Sequence, residues 1–345
     1  MKKAESKKLN AWARSHSVEV NFHVKMVALL LLIVILPLEQ LFSRQMGDAE
    51  LPFMESLQAR ADNQHTIDFF IVVDYIGNRW VILATATFLF YLQDPMHSTK
   101  LIIVATLGLY LCSCINMILR EPRPYFLSKH VHGHVCSEGF GMPSFSITVA
   151  TVCYSFILIM YIHRRSLWVR ISAYFAMLSL MVLLAFSRVF LGANFPHQVA
   201  ATLIYDYLYI TITFTFDSVI HKLSYKSSHN YAKNLHYSIY WFIAILGCLL
   251  ASLLIYLLFP LHFHLNIEWE NNALYDCDTH STIINAAPLY DSSIIFFLYG
   301  AVAGNMQTSK LMPQIWWYGP VWKRLVCFTV AMGVEIAIYF TCSKN

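Results

Sequence analysis

The segment Ser187-Arg188-Val189-Phe190-Leu191-Gly192-Ala193-Asn194-Phe195-Pro196-His197-Gln198 lies between two strongly apolar runs, residues 169–190 and 196–217. Pro196 favours the start of a new helix, because proline is well accommodated at the first helical position. The segment therefore predicts two apolar helices joined by a short turn near a membrane boundary. Arg188 at that boundary is interpreted either as part of an anion site or as a side chain that only snorkels to the interface.

Composition indicates an integral membrane protein that crosses the bilayer several times. The 345 residues are 57% hydrophobic and 13% charged, whereas soluble domains carry about 25% charged residues. A water-soluble protein of this size would need charged faces that the sequence lacks. The net charge is +4, and no basic stripe with interleaved aromatic residues is present, so nucleic acid is not an expected partner.

Runs of about 20 apolar residues are long enough to cross a bilayer as helices. Lysine and arginine are enriched in cytosolic loops, and their distribution here predicts a cytosolic amino terminus. The segment quoted above then lies at the opposite face. We predict an all-α bundle of nine spans, at residues of about 25–43, 68–92, 99–119, 145–163, 169–190, 196–217, 238–260, 291–306 and 323–341. Asp74 lies inside the second of them, where a carboxyl group is either functional or orients the helix.

Two further segments carry a recognisable pattern together with the first. These are Arg123-Pro124 and Pro143-Ser144-Phe145-Ser146. In this combination the three segments resemble the motifs of the type 2 phosphatidic acid phosphatase superfamily. The resemblance covers residues of about 50–220, and it implies a helical membrane bundle with its site at one end.

The resemblance also implies a division of roles within the site. In that superfamily a lysine, two arginines, a serine and a glycine amide hold the phosphate, since cations and backbone donors stabilise charge on its oxygens. One histidine attacks phosphorus and a second protonates the leaving oxygen. Arg123, Ser144 and Arg188 match the phosphate-binding positions.

Four positions of this sequence differ from the superfamily pattern. The lysine is replaced by Asn116, the glycine by Phe145, the acid histidine by Ser146 and the nucleophilic histidine by Asn194. Asparagine cannot form a phosphohistidine, and serine is a poor proton donor near neutral pH. The four changes together predict a site that has lost the standard mechanism.

Two neighbouring side chains offer an alternative in which activity survives. Arg120 follows Asn116 by four residues and His197 follows Asn194 by three, which is about one helical turn in each case. Arg120 is therefore a candidate for the missing cation, and His197 for a displaced nucleophile. The alternative for His197 is a packing or capping role beside Pro196.

The run Phe195-Pro196-His197-Gln198-Val199 is similar to the third motif of the glucose-6-phosphatases. We divide the chain into a basic cytosolic tail (1–24), a six-span phosphatase-like core (25–217) and a three-span extension (218–345). Analogy with those enzymes suggests the endoplasmic reticulum, and the basic tail leaves the mitochondrial inner membrane open.

Eight cysteines are present. Cys136 and Cys277 fall in predicted loops on the same face as the motifs, and we interpret them as a candidate disulfide if that compartment is oxidising. No metal or organic cofactor is implied.

The function expected from the sequence is that of a catalytically degenerate, phosphatase-like membrane protein. It would act as a structural or accessory subunit, or as a binder of phospholipid or phosphate, with membrane lipids and other membrane subunits as partners. The alternative is an active phosphomonoesterase on a sugar phosphate, such as glucose 6-phosphate, or on a lipid phosphate.

Overall fold

A computed structural model of the chain provides the fold. The structure describes residues 22–61, 63–93, 95–137, 139–162, 165–220, 222, 234–258, 267–277, 281–311 and 320–342. Most of the predicted basic tail and the two loops that carry Lys226, Lys233 and Trp316 lie outside these residues.

The described residues are mostly helical, and the longest non-helical segment among them is the loop 128–144. In chain order the helices are α1 (Phe22–Arg60), α2 (Gln64–Asp74), α3 (Trp80–Phe88), α4 (Pro95–Leu119), α5 (Pro124–Leu127), α6 (Phe145–Ile157), α7 (Leu167–Phe190), α8 (Pro196–Thr215), α9 (Asn234–Leu258), α10 (Ile267–Cys277), α11 (Ser281–Ser292), α12 (Ile295–Leu311) and α13 (Val321–Cys342). Short π-helical turns at Leu89–Gln93 and Leu158–Ile162 extend α3 and α6. The all-helical class predicted from the sequence is thus confirmed for the described part of the chain.

Helix α4 forms the centre of the bundle. It packs against α3, α6, α8, α9, α11 and α12, and apolar residues along its length are buried, among them Leu101, Ile103 and Leu109. A helix that is apolar on all sides is expected at the centre of a bundle, because every face meets a neighbour rather than solvent.

Five helical stretches of the described chain are long and apolar enough to cross a membrane. They are Met96–Leu127, Phe145–Ile162, Leu167–Phe190, Ser238–Leu258 and Ile284–Gly304. Large apolar side chains such as Trp168, Phe175 and Leu254 are more than half exposed, which suits helix faces that contact lipid. These features indicate an integral membrane protein, and five of the nine predicted spans coincide with them.

A sixth predicted span is bent. Helices α2 and α3 meet at 55° around residues 74–79, which we call the elbow. A 3-10 turn at Tyr75–Gly77 ends α2, and Asn78 is extended, with φ −75° and ψ 147°. Its side-chain oxygen then accepts from the Trp80 N–H at 3.2 Å, which begins α3. The other three predicted spans lie on α1, α8 and α13, so the count of nine stays a prediction.

At one end of the bundle a buried ion pair joins the beginning of α4 to the residues that follow α8. Lys100 Nζ lies 2.7 Å from Asp217 Oδ1, and both residues are buried. The motif residues lie at the opposite end, because Asn116 is 16 residues further along α4, or roughly 24 Å at 1.5 Å per residue.

The elbow touches the start of α6 so closely that Gly77 has no room for a side chain. A Cβ added there would lie 2.6 Å from the Ser146 backbone oxygen and 2.8 Å from the Ser146 Cβ. We expect Gly77→Ala to lower the free energy of unfolding by about 1–3 kcal/mol, because overpacking forces backbone shifts. Thermal unfolding in detergent measures this effect.

Gly247→Ala is the matched control for this prediction. Gly247 lies inside α9 and an added Cβ would meet nothing within 4 Å. Alanine is the better helix former by up to about 1 kcal/mol, so this exchange should be neutral or stabilising. Equal effects of the two substitutions would contradict the close contact at the elbow.

Candidate functional site

The motif residues come together where three connections meet at one end of the bundle. These are the turn after α4 with α5, the loop 128–144 that leads into α6, and the turn 191–195 between α7 and α8. Gly192 makes the last turn feasible: its φ is +72°, a value that glycine adopts at little cost, and an added Cβ would lie 2.5 Å from the His132 backbone oxygen.

Asn194 is the hub of this site and is completely buried. Its Oδ1 accepts hydrogen bonds from Ser144 Oγ at 3.0 Å and from Arg188 Nε at 2.9 Å. Its Nδ2 donates to the Gly141 backbone oxygen at 2.5 Å. One asparagine side chain therefore links the turn 191–195 to helix α7 and to the loop 128–144.

Arg188 is buried and has two further partners. Its Nη1 lies 3.1 Å and 3.2 Å from the two carboxylate oxygens of Asp74, and its Nη2 donates to Ser137 Oγ at 3.4 Å. Only 3% of the Arg188 side chain and 14% of the Asp74 side chain are exposed. Burying a charge is costly unless it is paired and hydrogen-bonded, and Asp74 supplies the opposite charge.

Arg123 is also buried and donates to backbone oxygens. Its Nε lies 2.9 Å from the Gly139 oxygen and its Nη1 lies 2.8 Å from the Ala193 oxygen. These bonds fasten the loop before α6 to the turn between α7 and α8. The structure thus brings together Arg123, Ser144 and Arg188, the three residues that the resemblance assigned to phosphate binding.

Asn116 shapes the loop in front of α6. Its Nδ2 donates to the Phe140 and Met142 backbone oxygens at 3.1 Å and 3.0 Å, and its Oδ1 accepts from the Phe140 N–H at 3.3 Å. A lysine cannot make this pattern, because it has three donors and no acceptor. Asn116 therefore supports the loop from the position that the superfamily gives to a cation.

Phe145 and Ser146 contact the elbow. The Arg79 guanidinium carbon lies 5.3 Å from the centre of the Phe145 ring, a cation–π distance. Ser146 packs against Gly77. Both of these changed motif positions thus lie beside the α2–α3 bend.

Arg120 is buried in a backbone conformation that is uncommon for its residue type, with φ +51°. Its Nε donates to the Met117 oxygen at 2.9 Å, and its guanidinium lies 5.9 Å from the centre of the Phe140 ring. The sequence placed Arg120 on the face of Asn116, one turn along a helix. Helix α4 instead ends at Leu119, and Arg120 lies in the turn that follows.

His197 lies at the start of α8 between two carboxylates. Its Nδ1 is 2.7 Å from Glu50 Oε2, and its Nε2 is 4.0 Å from Glu121 Oε2. Glu50 of α1 also accepts from the His197 backbone N–H at 3.2 Å, which caps the first turn of α8 and suits its helix dipole. The ring stacks on Phe195 with centroids 5.4 Å apart. The ring contacts fit the packing role considered from the sequence, whereas the capping group is Glu50 and not His197.

Several residues that hold the site in place match none of the motif positions of the superfamily. Gln58 of α1 accepts from the His132 N–H at 2.9 Å and donates to the His132 and Phe190 oxygens, both at 2.9 Å. Glu50, Glu121 and Gln58 could not be placed from spacing, since the partners of their side chains at the site are 74 or more residues away. Of these residues outside the motifs, only Asp74 was singled out from the sequence, because its carboxyl group lies inside a predicted span.

A disulfide fastens the same loop to the carboxy-terminal part of the chain. Cys136 is bonded to Cys277 at the end of α10, with their Cα atoms 5.4 Å apart. Helix α10 also packs on α5 through Ala273, which is buried with Tyr125 and Phe126. Within the described part of the chain, no group of three or more histidine, cysteine, aspartate and glutamate residues is arranged to hold a metal ion.

Residues 97–222 match the family model of the PAP2 superfamily. The matched region begins near the start of α4 and ends just after α8, so it contains all three motif segments. Searches of curated proteins and of solved structures found no match.

Proposed function

We propose that this chain is an integral membrane protein in which a phosphatase-like site has become a structural element. The main support for this proposal is the set of hydrogen bonds made by Asn194. This residue occupies the position of the nucleophilic histidine, yet its side chain hydrogen-bonds Arg188, Ser144 and Gly141 and so holds them together. The protein acts as a structural or accessory subunit of a membrane assembly, with lipids and other membrane proteins as its partners.

The hydrogen bonds of the site support this role. A phosphate bound by Arg188 and Ser144 would accept from their nitrogen and hydroxyl donors. Here oxygens of the protein accept these hydrogen bonds instead: Asn194 Oδ1 accepts from Ser144 and Arg188, and the Asp74 carboxylate accepts from Arg188. Arg123 likewise donates to backbone oxygens. The donors that would bind a substrate phosphate hold the fold together.

The amide of Asn194 has no chemistry equivalent to that of the missing histidine. A nucleophile for phosphoryl transfer must carry an available lone pair, and the amide nitrogen of asparagine is a hydrogen-bond donor. Ser146, at the position of the acid, is a hydroxyl group that loses its proton far above neutral pH. Neither residue can perform its step in the two-step transfer.

The test is phosphatase activity of the purified, folded protein with glucose 6-phosphate, phosphatidic acid and sphingoid-base phosphates. We expect no turnover above that of Arg188→Ala, which removes a cation that every phosphate-binding mechanism at this site requires. Turnover that Arg188→Ala abolishes would contradict the proposal. A folded state of both proteins is verified by their elution as single species in size-exclusion chromatography.

A second candidate is an active phosphomonoesterase with a displaced nucleophile, acting on a sugar phosphate or a lipid phosphate. The observation that favours it is the 2.7 Å contact between His197 Nδ1 and Glu50 Oε2, since a carboxylate partner orients and activates a catalytic imidazole. In this case His197→Ala abolishes the same turnover as Arg188→Ala.

We place the site on the face opposite a cytosolic amino terminus, in the endoplasmic reticulum or the mitochondrial inner membrane.

A further inference from the structure

The elbow, residues 74–79, covers the site from the α2–α3 side and supplies it with an anion. Asp74 lies at its inner end and faces Arg188 with both carboxylate oxygens. Gly77 in its middle lies against Ser146, and the Ile76 backbone oxygen accepts from Tyr154 at 3.1 Å. The elbow thus contacts the two helices that present Ser144 and Arg188.

The outer end of the elbow is held much more weakly than the inner end. Arg79 Nη2 lies 3.1 Å from Asp291 Oδ1, but the Arg79 side chain is 56% exposed. Its second contact is with the Phe145 ring. Exposed ion pairs contribute little to stability. The elbow is thus held by one buried and one exposed ion pair, and it consists of a few residues at the ends of two helices, where hinges are commonly located.

We propose that the elbow is a gate over an oxyanion site, with Asp74 occupying the place of the external anion. The ligand class is a tetrahedral oxyanion, either a free phosphate or the phosphate monoester of a lipid headgroup. This inference rests on the proposed function, because it assumes that the site does not turn a substrate over. Opening the elbow exchanges the Asp74 carboxylate for the ligand at Arg188.

Charge is the physical basis of the gate. Arg188 is buried and needs an anionic partner, while two anions cannot share one guanidinium without repulsion. Removing the charge of Asp74 therefore leaves a buried cation that an external oxyanion can neutralise. Asp74→Asn keeps the size of the side chain, so the elbow retains its shape while the resident anion is lost.

The experiment measures inorganic phosphate binding to the full-length protein in detergent by isothermal titration calorimetry. We expect Asp74→Asn to bind phosphate about tenfold more tightly than the wild type, since repulsion between like charges is removed. Asp74→Asn combined with Arg188→Ala should lose this gain. Asp68→Asn is the matched control, because Asp68 is exposed on the same helix and pairs with Gln64.

Each outcome decides the inference. A folded Asp74→Asn protein with wild-type affinity overturns it, and so does a gain that survives Arg188→Ala. If Asp74→Asn does not fold, Arg79→Ala decides instead: it releases the exposed end, so tighter phosphate binding supports the gate and unchanged binding overturns it. Nanodiscs with and without phosphatidic acid then distinguish a lipid headgroup from free phosphate.

The two proposals fail in different ways. Turnover of a phosphate ester by the wild-type protein would remove the proposed function. Unchanged phosphate affinity of the Asp74→Asn protein, in a preparation without turnover, would remove only the gate.

Discussion

Asn194→Ala should lower the free energy of unfolding by about 3–5 kcal/mol, since three buried groups lose a partner at once and each such loss costs about 1–3 kcal/mol. The three groups are Arg188 Nε, Ser144 Oγ and the Gly141 oxygen. Because Asn194 is completely buried, water cannot replace the lost bonds without opening the site. The measurement is thermal unfolding in detergent, followed by circular dichroism.

Two variants control this experiment. Asn271→Ala removes an exposed asparagine from α10 and should change the free energy of unfolding by no more than about 0.5 kcal/mol. Asn194→Asp keeps the acceptor for Arg188 and Ser144 but loses the donor to Gly141, so it should lie between the wild type and Asn194→Ala. A stability of Asn194→Ala equal to that of Asn271→Ala would show that the site is not a structural hub.

Loss of the disulfide should have an effect of similar size. Cys136 and Cys277 are 141 residues apart, and a cross-link that closes a loop of this length restricts the unfolded chain by about 3–5 kcal/mol. We expect Cys136→Ser to lower the unfolding temperature by several degrees, and a reductant to lower that of the wild type equally. The loop before α6 should also become more accessible to proteases, since it loses its anchor on α10.

Cys327→Ser is the control for the disulfide prediction. Cys327 is a free thiol in α13, so its replacement should leave the unfolding temperature and its response to reductant unchanged. An unfolding temperature of the wild type that does not respond to reductant would contradict the prediction, provided that thiol labelling verifies reduction.

The sequence predicted the helical class, and it grouped motif residues that lie near one another in the structure. Apolar runs gave five spans that coincide with apolar helices of the described chain, because hydropathy is a local property that does not depend on partners. Motif spacing placed Arg123, Ser144 and Arg188 in one site. Asn194 was predicted to lack the chemistry of histidine, which depends only on its side chain.

What the sequence could not predict depends on contacts between distant segments. Asn116 and Asn194 were interpreted only as replacements of a phosphate-binding lysine and a nucleophilic histidine, and their hydrogen bonds to the loop 128–144 depend on how that loop is folded. The pairing of Arg188 with Asp74 joins residues that are 114 positions apart. The segment of about 68–92 was predicted as one span without a bend being foreseen, because a bend of 55° leaves no mark on mean hydropathy.

The ion pair of Lys100 and Asp217 brings the two ends of the region matched by the family model close together. The region matched by the family model starts and ends within five residues of those two side chains, so the entry and the exit of that region are neighbours in space. When the two ends of a region lie close together at its surface, further segments can be attached at either end without disrupting its fold. Helices α1 to α3 precede that region and α9 to α13 follow it. Both groups are fastened to it, the first through the ion pair of Asp74 with Arg188 and the second through the disulfide of Cys136 with Cys277.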